Sequence, residues 1–230
     1  MKLTLPQLLS VNAGYVDTAG FLALHGLFTA HVTGNFVTFG AAIVLGTSGA
    51  LAKLLALPMF CVVVILTRIL GYGLARRGLP ALRTMLLLKL LLLIAAAALA
   101  IRLGPFASGN GWPALVTGMT LVSAMAIQNA VHRIHLPSAP PTTLMTGTTT
   151  QIMIDLADLM RGLPPAIGTA TRSRLLRMSS SVAAFAVGCA AAALVYGAVQ
   201  VWCFLAPPLL GLCAFLLRAS AADAGERRAS

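Results

Sequence analysis

Apolar residues fill this chain in eight runs, at 8–30, 36–45, 54–75, 84–103, 112–131, 141–159, 178–200 and 201–217. A helix crossing a bilayer needs roughly 20 predominantly apolar residues, so most of these runs predict membrane helices. Two do not fit: 36–45 is short, and 141–159 is polar at its start. Both follow a polar cluster containing glycine. The first is His31-Val32-Thr33-Gly34-Asn35, and its near-copy is Leu144-Met145-Thr146-Gly147-Thr148. Glycine tolerates helix-breaking backbone conformations. Irregular backbone at membrane depth survives only when buried in protein or lining a wet cavity. Each Thr-Gly motif therefore predicts a discontinuous or re-entrant helix.

Composition makes the membrane reading firm. The 230 residues are 59% hydrophobic and 9% charged, with mean hydropathy +0.93. A soluble domain carries about 25% charged residues. The net charge of +11 does not point to nucleic acid, because the basic residues gather at the ends of apolar runs and aromatic stacking platforms are sparse. The first run is too long and interrupted for a cleaved signal peptide and reads as retained. Cys61, Cys189, Cys203 and Cys213 all lie in apolar segments without a CxxC pair, so neither disulfides nor a metal site is expected.

Loop charge sets the number of crossings. Arg76, Arg77 and Arg83 form one basic loop, Arg161, Arg172, Arg174 and Arg177 a second, and Arg218, Arg227 and Arg228 follow the last run. Basic loops favour the cytoplasmic side. Eight full crossings cannot put all three there. Six can, with both termini cytoplasmic, the loops near 47–53 and 104–111 external, and a disordered cytoplasmic tail at 219–230.

Setting Thr33-Gly34 on Thr146-Gly147 aligns two halves, 1–109 and 110–218. Tyr15, Val16 and Asp17 then fall on Gln128, Asn129 and Ala130, so each half carries a polar patch ahead of its motif. Three crossings per half invert the second relative to the first. The expected fold is an all-α integral membrane protein of two inverted three-crossing repeats. Secondary transporters are commonly built this way, with broken helices meeting near the midplane.

The polar residues within the runs are the candidate solute contacts. Thr33, Gly34 and Asn35 at one motif, and Thr146, Gly147 and Thr148 at the other, offer half-helix ends. Gln128 and Asn129 form the second polar patch. Asp17, the only acid in the first half, is a candidate proton-coupling group, because an ionised carboxylate in lipid must be paired, protonated or in a cavity. Asp155, four residues after Gln151, shares its helix face and is the alternative. Asp158 reads as an interfacial partner of Arg161. His31 is placed to relay protons or donate to a ligand. Arg68 would bind an anion or neutralise Asp17 or Asp155, with pairing the plainer reading. Lys89 reads as snorkelling near a helix end. No catalytic motif is present, so an enzyme is not expected.

Ala13-Gly14-Tyr15-Val16-Asp17, Phe21-Leu22-Ala23-Leu24 and His31-Val32-Thr33-Gly34-Asn35 resemble the YoaK-like family of bacterial membrane proteins, a domain of unknown function. So do Gln128-Asn129-Ala130, Thr142-Thr143-Leu144-Met145-Thr146-Gly147 and Gln151. The resemblance implies a multi-pass protein of the bacterial inner membrane and supplies no substrate. This chain departs at Thr148, where asparagine is usual, and at Arg68, where the family has small or apolar residues. The expected function is secondary transport of a small, anionic solute with proton coupling. A channel of the same construction, or a membrane binding or scaffold protein, is the alternative. The expected partners are the lipid bilayer and the solute, with no cofactor, and small-residue stretches are compatible with a homodimer.

Overall fold

The computed structural model describes the backbone of residues 4–229 and the side chains of residues 4–217. The disorder expected of 219–230 lies outside the residues whose side chains are described. The regular secondary structure of the described residues is all helical, with no strand. Helix α1 spans Leu5–Ala23, α2 Gly34–Leu45, α3 Ala50–Arg76 and α4 Ala81–Leu103. Then come α5 at Trp112–His135, α6 at Met145–Arg161, α7 at Pro165–Val199, a 3-10 turn at Gln200–Leu205, and α8 at Ala206–Ala229. Helices α3, α4 and α5, and the stretch Pro165–Leu217, are long and apolar enough to cross a membrane.

Three boundaries differ from the apolar pattern. The first run does not continue to residue 30. Helix α1 stops at Ala23, where His25 and Gly26 take positive φ of 55° and 83°, a region that glycine enters without the cost borne by other residues. Second, Gly147 does not break a helix. It lies in the first turn of α6, and the non-helical stretch precedes it at 136–144. Third, Arg172, Arg174 and Arg177 are not in a loop. No breaker separates them from the apolar run, and α7 carries them on its first turns. At 35 residues, α7 is about 52 Å long, well beyond a hydrocarbon core of about 30 Å.

Packing is arranged in matching pairs. Helix α1 lies on α7, and α3 lies on α5. Likewise α1 meets α8 as α5 meets α4, and α2 rests on α3 as α6 rests on α7. The α1–α7 contact is close because it is made at two glycines. A Cβ on Gly14 would strike the carbonyl of Phe185, and one on Gly188 the carbonyl of Val11. Small residues allow this backbone approach, which gains dispersion contacts where lipid supplies no hydrophobic drive. The Ser10–Ser181 hydroxyl contact, 2.9 Å, fixes the same register one turn earlier.

The core combines small α1 residues (Ala13, Val16, Ala19) with Leu121, Val122 and Met125 of α5 and Phe204 of the 3-10 turn. Exposed apolar residues, among them Val37, Val44, Ile65, Leu194 and Leu209, cover the outside. That inversion suits a lipid solvent.

Candidate functional site

The site is built on one carboxylate. Asp17 is 4% exposed and sits on α1. Its Oδ1 accepts the backbone N–H of Thr29 at 2.7 Å and of Ala30 at 2.8 Å. Its Oδ2 faces Nδ1 of His31 at 2.7 Å. Segment 24–33 therefore doubles back along α1. It leaves the helix end at His25, whose Nε2 lies 2.9 Å from the carbonyl of Phe106, and returns to the level of Asp17. A carboxylate only accepts, so Nδ1 of His31 donates to it. Nε2 has no hydrogen-bond partner among the described residues, and the His31 side chain is 31% exposed.

Asn35 completes the clamp. Its Oδ1 accepts from the N–H of Phe28 at 2.9 Å, and its Nδ2 donates to the carbonyl of Phe28 at 2.7 Å. Both ends of the amide are spent on holding the loop against the first turn of α2. Thr33 caps that helix and Gly34 opens it.

The second half repeats the device with other side chains. Nε2 of Gln128 donates to Oγ1 of Thr142 at 3.1 Å, and Oδ1 of Asn129 accepts from Thr143 at 2.7 Å. Segment 136–144 is thereby drawn back along α5. The other end of Gln128 accepts from Nζ of Lys89 at 2.5 Å.

Two cavities flank the first loop. One, of about 570 Å³, reaches from Asp17 past Phe21 and Phe28 to Phe185 and Cys189 on α7. The other, of about 420 Å³, lies between α3 and α5 and is bounded by Arg68, Asn129, Arg133 and Leu144. His31 and Thr33 line both, so the loop is the wall between them. The second cavity joins the two motif regions through Thr33 and Leu144. It does not include Gly147, where an added Cβ would meet nothing within 4 Å, nor Thr146, which is exposed. Thr148 is buried and turns its hydroxyl onto the carbonyl of Leu144 at 2.9 Å.

The remaining candidates have other partners. Asp155 is fully buried and bound by Arg174 through Nε at 2.8 Å and Nη2 at 2.6 Å, with Gln151 donating at 2.7 Å. This group staples α6 to α7 and lines neither cavity. Arg68 pairs with neither Asp17 nor Asp155. Its guanidinium lies 4.3 Å from the centre of the Tyr72 ring. The expected Asp158–Arg161 ion pair is not formed among the described residues.

Sequence reasoning missed Lys89 and Arg133. Lys89 does not snorkel: it is 1% exposed, eight residues into α4. A burial this deep is costly without hydrogen bonding, and Gln128 supplies it. The signal available was that Gln128, another long polar side chain in an apolar run, required a partner. Arg133 lies in the last turn of α5 and borders the second cavity. Among the described residues no grouping of three His, Cys, Asp or Glu could hold a metal ion.

A family model described as a protein of unknown function (DUF1275) matches residues 5–217. No curated protein and no solved structure gives a significant match.

Proposed function

The chain belongs to the DUF1275 family, and we propose that it is a secondary transporter of a small anionic solute, coupled to protons. The observation that carries this reading is the shared wall. One clamped loop, with a titratable His31 on it, separates two cavities of about 570 and 420 Å³. Alternating access requires such a divider.

The proposal takes segments 24–45 and 136–161 as re-entrant, within two inverted repeats of three crossings. Several observations support it. His25, Ser48 and Asn110 meet at one end of the molecule through the His25–Phe106, Ser48–Ser108 and Asn110–Leu51 contacts. At the other end Gln7, Ser138 and Arg177 border one depression. Each clamped loop starts at one of these ends and returns to it through a short helix. Exchange of the halves also converts one set of helix contacts into the other, α1–α7 into α5–α3 and α1–α8 into α5–α4. In that register Tyr15, which donates to the carbonyl of Cys203 at 3.0 Å, takes the place of Gln128, which accepts from Lys89. The basic loops then face the cytoplasm with both termini.

The coupling group in this reading is the Asp17–His31 pair. Oδ1 of Asp17 is committed to two backbone amides. Proton exchange falls to His31, which borders both cavities. Asp155 is already neutralised by Arg174 and has no part in coupling.

The test is flux. Purified protein in liposomes loaded with a pH-sensitive dye is given a panel of permanently ionised anions. Benzenesulfonate is the first, because it does not cross lipid as a neutral acid. Saturable uptake with acidification of the lumen supports the proposal. Conductance without proton movement would make the protein a channel, and no flux for any member would leave a binding or scaffold role.

A further inference from the structure

The 420 Å³ cavity between α3 and α5 is lined by two cationic side chains, Arg68 and Arg133, and by His31 and Thr33 of the loop. Along α3, Leu57, Phe60, Val64 and Arg68 follow one another at spacings of three and four, so they share a face on successive turns. The face runs from apolar to cationic. On α5 the lining continues through Ala130 to Arg133 and Ile134, near that helix's C-terminal end. Arg68 stands near the corresponding end of α3. The two guanidiniums thus gather toward one end, and Leu57 and Phe60 lie toward the other.

Neither guanidinium is spent. Tyr72 covers a face of Arg68 and leaves its edge N–H groups open, a planar fork suited to an oxyanion. Among the described residues neither Arg68 nor Arg133 forms an ion pair or has a hydrogen-bond acceptor. The amide of Asn129, beside them, is consumed by Thr143 and by the carbonyl of Met125. Asp17 is held by His31 on the far side of the wall. The charged end of the cavity has two cationic donors and no anion.

We infer that this cavity binds a monoanion with a compact apolar body. Its single oxyanion head lies between Arg68 and Arg133, and its body lies against Leu57, Phe60 and Val64. A small inorganic oxyanion would satisfy the guanidiniums but would leave the apolar wall unfilled. A dianion with separated charges would set its second charge against the apolar face of Leu57, Phe60 and Val64. A soluble organic acid and the head of an anionic lipid share this chemistry. The inference deepens the transport proposal and rests on the same cavity.

The experiment is calorimetric titration of the full chain in phosphatidylcholine nanodiscs, with empty discs as reference. Benzoate is expected to bind saturably. Benzyl alcohol, which lacks the charge, and inorganic phosphate, which lacks the body, are expected to bind at least about tenfold more weakly, the scale of losing one charged hydrogen bond. Arg68→Gln and Arg133→Gln should each weaken benzoate by a similar factor, and Arg68→Lys should lose less than Arg68→Gln. Val64→Trp, which fills the apolar end and spares both arginines, should abolish benzoate binding, and an unfolding temperature matching wild type in each variant shows that the loss is not misfolding. Repeating the titration in phosphatidylglycerol discs separates the sources. Benzoate excluded there, and readmitted to Val64→Trp under no condition, identifies an anionic lipid as the occupant. Phosphate or benzyl alcohol binding as tightly as benzoate would overturn the inference. Benzoate binding without flux of any anion in the panel would keep the site and defeat the transport reading. Flux without benzoate binding would do the reverse.

Discussion

At the residue scale the account turns on Asp17. Its carboxylate neutralises no cation at rest beyond the His31 contact; its main work is to accept two backbone amides and orient an imidazole. Asp17→Ala should destabilise the protein by about 2–4 kcal/mol, because two buried N–H groups lose their acceptor. Thermal unfolding in detergent measures it. Asp17→Asn keeps an oxygen for those amides and should cost less, while removing the acceptor charge that fixes His31. His31→Gln should abolish the acidification of the lumen that accompanies anion uptake. Uptake that still acidifies the lumen in His31→Gln would exclude the imidazole as proton carrier. The chemistry of Asp17 and His31 was legible in sequence, since an acid and a histidine in apolar runs demand partners. Their bond was not, because it depends on the chain reversing at His25 and Gly26. Lys89 was misread for a related reason. A lysine near the end of an apolar run normally reaches water, and its burial is decided by Gln128, 39 residues away.

Elements carry a different lesson. Apolar run length located α3, α4 and α5 to within a few residues, because length and hydropathy are local properties. It failed at α7, where charge was taken as a helix boundary. Arginines are good helix formers, and only a breaker such as Pro164-Pro165 ends the run. The α1–α7 contact tests the role of small residues directly. Gly188→Val should separate the two backbones and cost about 1–3 kcal/mol as overpacking, read as a lower unfolding temperature. An unchanged temperature would show that the helices are not held in this register. The Asp155–Arg174 staple makes a second prediction. Arg174→Gln should speed amide hydrogen exchange across 145–161, since among the described residues α6 rests on α7 alone of the helices, and should leave exchange in α1 unaltered.

For the whole molecule, exchanging the halves maps one set of helix contacts onto the other, α1–α7 onto α5–α3 and α1–α8 onto α5–α4. Two segments of unlike chemistry, one clamped by a carboxylate and the other by two amides, occupy matching positions. The alignment could pair Thr33 with Thr146, but it could not reveal that Gly34 borders a cavity while Gly147 borders neither, nor that His31 and Thr33 line both. The central claim is that this wall divides a path with one cavity open to each side. Thiol accessibility tests it most directly. In a chain with Cys61, Cys189, Cys203 and Cys213 replaced, Thr18→Cys reports on the first cavity and Ala130→Cys on the second. In oriented vesicles a membrane-impermeant maleimide should label Ala130→Cys from the face carrying the termini and Thr18→Cys from the opposite face. Labelling of both positions from the same face would contradict the account.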